Sequence, residues 1–361
     1  MTVPVHTPED SPARTDEATA GPMTGTLMAR LFIVPAVIVC ILLAVAVVVV
    51  LFGSTAIEKQ ETVADLLTRL ESDSGDRTMG AMLMPKAKES WQAAQELAQR
   101  LAERDKFLAA DAIEPTAARI VALLEKFPPG RDVEEEGPAQ EHFLMLALGQ
   151  LGADSSVDAL TRMLKDPNWS NRRTALQALA LMHGSSKARQ SLPAVIALLD
   201  DPKPAVQIVA CATIAGLADP KDESSRRALA AKLEADREIQ WNAAMALARL
   251  GDSRGKMVLM NMLDRGYWEK LDLEYTEDNS VVHRKYTPGE VANNLQAAIE
   301  AAAHLQGSDL SELIAKLRDD PAVSVRDAAR TAASKMAMKK DQTSLRFHLP
   351  GPFAMYESEV S

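Results

Sequence analysis

The sequence predicts an all-α chain: an α-solenoid of repeated helix pairs with a small β-hairpin insertion, preceded by a single transmembrane helix. Three observations predict it. A phrase recurs in which Asp-Pro is followed, six residues after the Asp, by a basic or polar side chain: Asp166-Pro167 with Arg172, Asp201-Pro202 with Gln207, Asp320-Pro321 with Arg326. Each copy opens an Ala-rich helix, and the first two start 35 residues apart, a period at which stacked helix pairs bury the apolar faces that one pair cannot bury alone. Leu31–Phe52 is an uncharged run of 22 residues, long enough to cross a bilayer. Finally, residues 266–289 interrupt the repeat with an aromatic-rich stretch of alternating character.

Taken in order, residues 1–30 are rich in Pro, Thr, Ala and acidic side chains with few apolar ones, and are expected to be a disordered tail. In the run 31–52, eleven residues are Val or Ile; as a helix it spans ~33 Å, against a hydrocarbon core of about 30 Å. A cleaved signal peptide fits less well. The apolar run is too long, the tail before it is long and acidic, and no small-x-small cleavage site stands out. Arg30 abuts the run while Lys59 lies seven residues beyond it. The distribution of basic residues therefore favours a cytoplasmic N-terminus and the array on the non-cytoplasmic side; the membrane expected is a bacterial inner membrane.

Segment 53–130 reads as helical from the spacing of Val63, Leu66, Leu67 and Leu70, then Trp91, Leu97 and Leu101, then Ile120, Leu123 and Leu124. It is either a degenerate first repeat or a separate bundle. Residues 131–140, with Asp132, Glu134, Glu135 and Glu136, form an acidic linker. From 141 to 338 the helix pairs are legible. Leu151-Gly152 and Leu250-Gly251 end first helices, glycine supplying the left-handed cap that turns the chain back. Asp-Pro opens the next pair, because proline is tolerated in a first turn and not in a helix interior. Ala175, Ala178, Ala244, Ala246, Ala328 and Ala329 permit close helix approach, with Leu176, Leu179, Leu198, Leu247 and Leu263 filling the layer between. Trp169 and Trp241 open helices in equivalent places and seal grooves between units. Residues 339–361 are a tail without helical period.

Composition excludes several functions. The net charge is −10 and no dense Lys/Arg cluster appears, so nucleic acid is not an expected partner. Cys40 and Cys211 make neither a disulfide framework nor a metal-type spacing. No phosphate loop, nucleophile elbow, zincin helix or dinucleotide fingerprint occurs, and the six histidines are scattered. No cofactor, metal or catalytic residue is expected. The insertion is the anomaly: Tyr267, Trp268, Tyr275 and Tyr286 are four of the chain's 15 aromatic residues. Leu271, Leu273 and Tyr275, then Val282, Arg284 and Tyr286, alternate about Asp278-Asn279, which predicts a hairpin. Tyr267, Trp268, Tyr275, His283, Arg284 and Tyr286 are thus candidate partner-binding residues, Tyr, Trp and Arg being enriched at interface hot spots. The alternative is that the rings only pin the hairpin to adjacent helices.

On its Asp-Pro turns, the Arg residues near the helix starts and the Leu-Gly ends, the chain resembles the HEAT-repeat superfamily. The likeness is greatest to the short bacterial HEAT-like repeats also found in phycobilin lyases. It covers Glu141 to Met338 and, more loosely, Lys86–Phe127. It implies a hydrogen-bonded ladder between units, with Asp166, Asp201 and Asp320 as acidic rungs, Arg173 and Arg326 as basic ones, and neutral rungs at Gln207 and Asn242. It also implies a non-catalytic scaffold for a protein partner. The unlike alternative is an accessory enzyme of the lyase or hydroxylase type. Deoxyhypusine hydroxylases resemble such arrays but carry His-Glu motifs, and no His-Glu dipeptide occurs here. The expectation is a membrane-anchored HEAT-like scaffold, tethered through Leu31–Phe52, that grips a protein with its solenoid surface and aromatic hairpin.

Overall fold

The structure is a computed structural model that describes residues 61–73, 85–130, 140–277, 280–305 and 307–348. Thr62–Ser361 form one compact unit. It begins with α1 (Val63–Asp73) and then α2 (Pro85–Ala102), which is joined through the short α3 (Arg104–Phe107) to α4 (Ile113–Leu124). Helix pairs follow: α5 (Gln140–Leu151) with α6 (Ser156–Met163), and α7 (Trp169–Leu181) with the short α8 (Ser186–Arg189) and α9 (Leu192–Ala197). Next come α10 (Pro204–Leu217) with α11 (Glu223–Ala231), and α12 (Arg237–Arg249) with α13 (Lys256–Met262). The insertion holds α14 (Arg265–Lys270), β1 (Asp272–Glu277) and β2 (Ser280–Lys285). The array ends with α15 (Pro288–Ala302), α16 (Ser308–Lys316) and α17 (Val323–His348).

The first helices α2, α5, α7, α10, α12, α15 and α17 stack in that order, each packed on the next. Helix α2 meets α5 as α5 meets α7, so the segment before the acidic linker continues the stack. The pattern of small residues makes the stack possible. Helix α7 buries Ala175, Leu176, Ala178 and Leu179, and α12 buries Ala243, Ala244, Ala246, Leu247 and Ala248. Both flanks of each helix are thereby covered by neighbours and only a narrow polar stripe is left outside. The closest approach is at Gly149 in α5, where a Cβ would lie 2.5 Å from the Ala178 carbonyl oxygen. Gly149→Ala is therefore expected to cost about 1–3 kcal/mol through overpacking, read as a lower urea midpoint. Gly152 and Gly251 follow α5 and α12 with φ of 66° and 73°, the left-handed conformation that turns the chain into the second helix.

The core is in two parts. One runs from Val63 to Leu250 and the other from Trp241 to Ala332, and they meet inside α12. Ala243, Ala246 and Leu247 face the first, while Trp241, Ala244 and Ala248 face the second. Beyond α12 the insertion fills the joint.

Some expectations change. The single-pass localisation is corrected: among the described residues no helix is long and apolar enough to cross a membrane. The longest described helix, α17, has 26 residues, but Arg326, Asp327, Arg330, Lys335, Lys339 and Lys340 interrupt it at every turn. Leu31–Phe52, on which the expectation rested, lies outside the described residues, as do residues 1–30 and the acidic stretch 131–139. The last helix also continues past 338 to His348. The insertion does contain a two-stranded antiparallel hairpin, with Leu273 opposite Arg284 and Tyr275 opposite Val282. Its first residues form a helix instead, because the Asp264 side chain accepts the Gly266 N–H and caps α14.

Candidate functional site

Each Asp-Pro turn is held by the same local bonds. Asp166 Oδ1 accepts the Asn168 N–H, Asp201 Oδ1 that of Lys203, and Asp320 Oδ1 that of Ala322. The side chain six residues on returns to the Asp carbonyl: Arg172 at 2.8 Å, Gln207 at 2.7 Å and Arg326 at 2.7 Å. Arg172 also reaches forward, Nε and Nη2 donating to the two Asp201 oxygens at 2.7 and 2.9 Å. The basic rung is Arg172, which corrects the assignment to Arg173. One residue is about 100° of helix, and that rotation sets the Arg173 guanidinium 5.1 Å from the Trp169 ring centre instead. Asn242 is corrected too: its amide returns to the Glu238 carbonyl within its own helix. The neutral position in that unit is Gln240, bonded to the Leu233 carbonyl. Asp166 takes the Gly130 N–H at 3.1 Å in place of a guanidinium.

The last rung crosses the insertion. Counted from the N-cap Thr287, α15 has Lys285 where the other units have Asp and Val291 where they have Arg or Gln, so it can supply no guanidinium. Arg265, the first residue of α14, supplies it, donating from Nε and Nη2 to Asp320 at 2.7 and 2.6 Å. Burial pushes the carboxyls of Asp201 and Asp320 up. The bonds from Arg172 and Arg265, the backbone N–H groups and the guanidinium charges outweigh it, so both lie below the usual carboxylate range.

The same short helix drives Trp268 into the joint between α12 and α15. Trp268 is 1 % exposed, and its Nε1 donates to the Met262 carbonyl at 2.7 Å. Its ring lies 4.5 Å from Trp241, 5.4 Å from Tyr267 and 5.8 Å from Tyr286, centre to centre. The Trp241 indole N–H donates to the Tyr267 hydroxyl at 3.1 Å. Of the residues nominated for partner contact, Trp268 is therefore a core residue, which corrects its assignment, while Tyr267 and Tyr286 are half-buried against the same core. His283 is exposed on β2 and Arg284 makes a two-pronged bond to Glu290 at 2.7 and 2.6 Å. That bond, with the Thr287 N–H and hydroxyl, holds Glu290 down to about 2 and completes the capping box of α15. Tyr275 stands on β1 opposite Val282.

Nothing in the residue pattern marks Arg265, whose partner lies 55 residues away. The one available signal was negative, the missing Asp and Arg ahead of α15. A second polar cluster lies at the start of α7. Besides Arg173, the Lys203 ammonium lies 5.9 Å from the Trp169 ring centre. His142 Nε2 and Asn171 Oδ1 are 2.9 Å apart. Burial pushes the His142 imidazole down against the opposing charge of Glu141, so the ring is neutral at pH 7. An open cleft of about 940 Å³ lies beside α3 at the other ends of α5 and α7, lined by Arg104, Glu114, Asp154, His183 and Ser185. Its polar groups bond one another: Arg104 to the Leu151 carbonyl, the Asp154 N–H to Glu114, the Ser185 hydroxyl to Asp154. Among the described residues no group of three or more His, Cys, Asp or Glu could hold a metal ion.

The family of HEAT repeats matches residues 138–194 and 192–271. No curated protein matches the chain. Among solved structures, the complex of CpcE and CpcF of phycocyanin lyase from Nostoc sp. PCC7120 is 17% identical, covering 77% of this chain and 95% of that one, with a TM-score of 0.42. A designed armadillo repeat protein in complex with the peptide (KR)4 is 14% identical, over 75% of this chain and 99% of that one, at 0.36. Human deoxyhypusine hydroxylase in complex with glycerol is 14% identical, over 76% and 97%, at 0.30. Residues 138–271 match the HEAT-repeat family, and among the described residues they lie within a mostly helical array of stacked helix pairs.

Proposed function

We propose that this chain is a non-catalytic scaffold that holds a protein partner on the surface of its helical array, with the hairpin β1–β2 as a recognition element. One observation carries the reading. The root of the insertion is needed by the stack, yet two strands continue beyond it, and among the described residues their outer edges pair with no other strand. An unpaired edge offers backbone donors and acceptors to a partner's extended segment. The strands are seated rather than loose. Lys285 bonds the Lys270 carbonyl at 3.0 Å and Asp272 at 2.9 Å, and Arg284 bonds Glu290.

The test shortens the hairpin without touching its root. Residues 274–283 are replaced by Gly-Ser-Gly-Ser, and thermal stability and helical content are expected to match the parent. Both proteins then serve as bait under identical conditions, and the recognition role predicts that proteins retained by the parent are lost from the variant. Equal retention by two equally stable proteins would remove that role from the hairpin. A bound metal or chromophore in the purified chain, seen by metal analysis or absorbance, would contradict the non-catalytic reading.

A further inference from the structure

We propose that Trp169, Arg173 and Lys203 form an anchor for an acidic side chain of a protein partner, a glutamate or aspartate flanked by an apolar residue. The anchor lies on α7 and the turn before α10, and it stands apart from the hairpin, so neither test decides the other. Trp169 is half-buried, its ring packed against the main core, with the guanidinium 5.1 Å and the ammonium 5.9 Å from its centre. Lys203 is exposed. Neither cation has an ion-pair partner among the described residues, and the Arg173 Nε is buried without a hydrogen bond. Three other guanidinium groups of the stack are matched by carboxylates: Arg172 by Asp201, Arg265 by Asp320, Arg254 by Asp252.

Two cations thus stand beside one aromatic face in a chain of net charge −10. Two described carboxylates near the cluster are buried. Asp166 is buried and accepts the Gly130 and Asn168 N–H groups, and Glu141 is 1 % exposed. His142 is neutral and adds no charge. Among the described residues no carboxylate forms an ion pair with either cation, and an anion from a partner would complete the site. A carboxylate fits the donors: the guanidinium presents a fork of N–H groups and the ammonium a point charge. The indole between them gives an apolar surface to the side chain next to the carboxylate. A partially desolvated carboxylate also gains more from such cations than one in open water.

The test uses full-length protein and a fluorescein-labelled peptide, (Glu-Leu)4, titrated by anisotropy beside (Gln-Leu)4. The acidic peptide is expected to bind saturably and to weaken as salt is raised. The glutamine peptide should bind at least about tenfold more weakly, the loss of one charge-assisted bond. Arg173→Ala should weaken the acidic peptide by a similar factor with unchanged circular dichroism. Lys203→Glu, at an exposed position, keeps the test decisive if the first variant fails to fold, and should weaken binding at least as much. Absence of binding, equal affinity for the two peptides, or affinity unchanged in Lys203→Glu would overturn the proposal. So would tighter binding of a (dT)8 oligonucleotide than of (Glu-Leu)4, which would assign the cations to phosphate.

Discussion

Trp268→Ala is expected to lower the stability of the C-terminal half of the array by about 3–5 kcal/mol, the range for truncating a large buried ring. The side chain is 1 % exposed and closes a cluster with Trp241, Tyr267 and Tyr286. Removing it opens a cavity, ends the aromatic contacts and leaves the Met262 carbonyl without its indole donor. Stability in a stacked array is close to a sum of unit and neighbour terms. The loss should therefore appear as an early denaturant transition for α13 to α17, with the helices before α12 melting as in the parent. If the rings merely decorated the surface, the substitution would change stability by less than about 0.5 kcal/mol. Trp268→Phe should recover part of the loss, because it restores a ring but not the N–H.

Breaking the rung that crosses the insertion is the second large effect. Arg265→Ala is expected to cost about 3 kcal/mol, the low end for stranding one member of a buried pair, since Asp320 keeps only 2 % side-chain exposure and would retain a single backbone donor. The Asp320→Ala single variant and the double variant complete a cycle, whose coupling energy should be about 1.5–3 kcal/mol, as for hydrogen bonds to charged groups. The pair also contributes to the acid limit, together with other depressed carboxyls, Asp201 and Glu290 among them. The folded Asp320 carboxyl lies below its ordinary value, because the Arg265 bonds, the Ala322 N–H and the Arg265 and Arg326 charges outweigh burial. A depressed carboxyl contributes stability fully above its unfolded value of about 3.9 and loses it as pH falls through the folded one. Melting temperature should thus hold from pH 7 to about pH 5 and then drop. In Arg265→Ala the drop should be shallower, because the shift it removes is one source of that slope.

The helix pairs were legible because period and punctuation agree. Leu-Gly ends, Asp-Pro starts and Ala-rich flanks each point to the same boundaries, and α5, α7, α10 and α12 begin or end within a few residues of them, while α17 runs on to His348. The hairpin was legible from alternation about Asp278-Asn279. The ladder was legible in its Asp rungs but not in its basic ones. Arg172 and Arg173 are adjacent, and only the rotation between them decides which meets Asp201 and which lies over Trp169. The root of the insertion was not legible at all. Six residues are too few to show helical periodicity, so Tyr267 and Trp268 read as part of the hairpin. The reason they are buried, a joint left open between α12 and α15, is set by neighbours distant in sequence. Aromatic enrichment in an insertion therefore reported packing at the root. At Trp169, by contrast, a ring read as a groove seal proves to carry two unmatched cations.

The insertion is divided: its root belongs to the core of the stack, and a two-stranded hairpin continues beyond it. Hydrogen–deuterium exchange of the intact protein, resolved by peptide, tests this division directly. Amides of 266–271 are expected to exchange as slowly as those of α12 and α15, while those of β1 and β2 facing outward exchange orders of magnitude faster. Exchange in 266–271 as rapid as in the strands would contradict it.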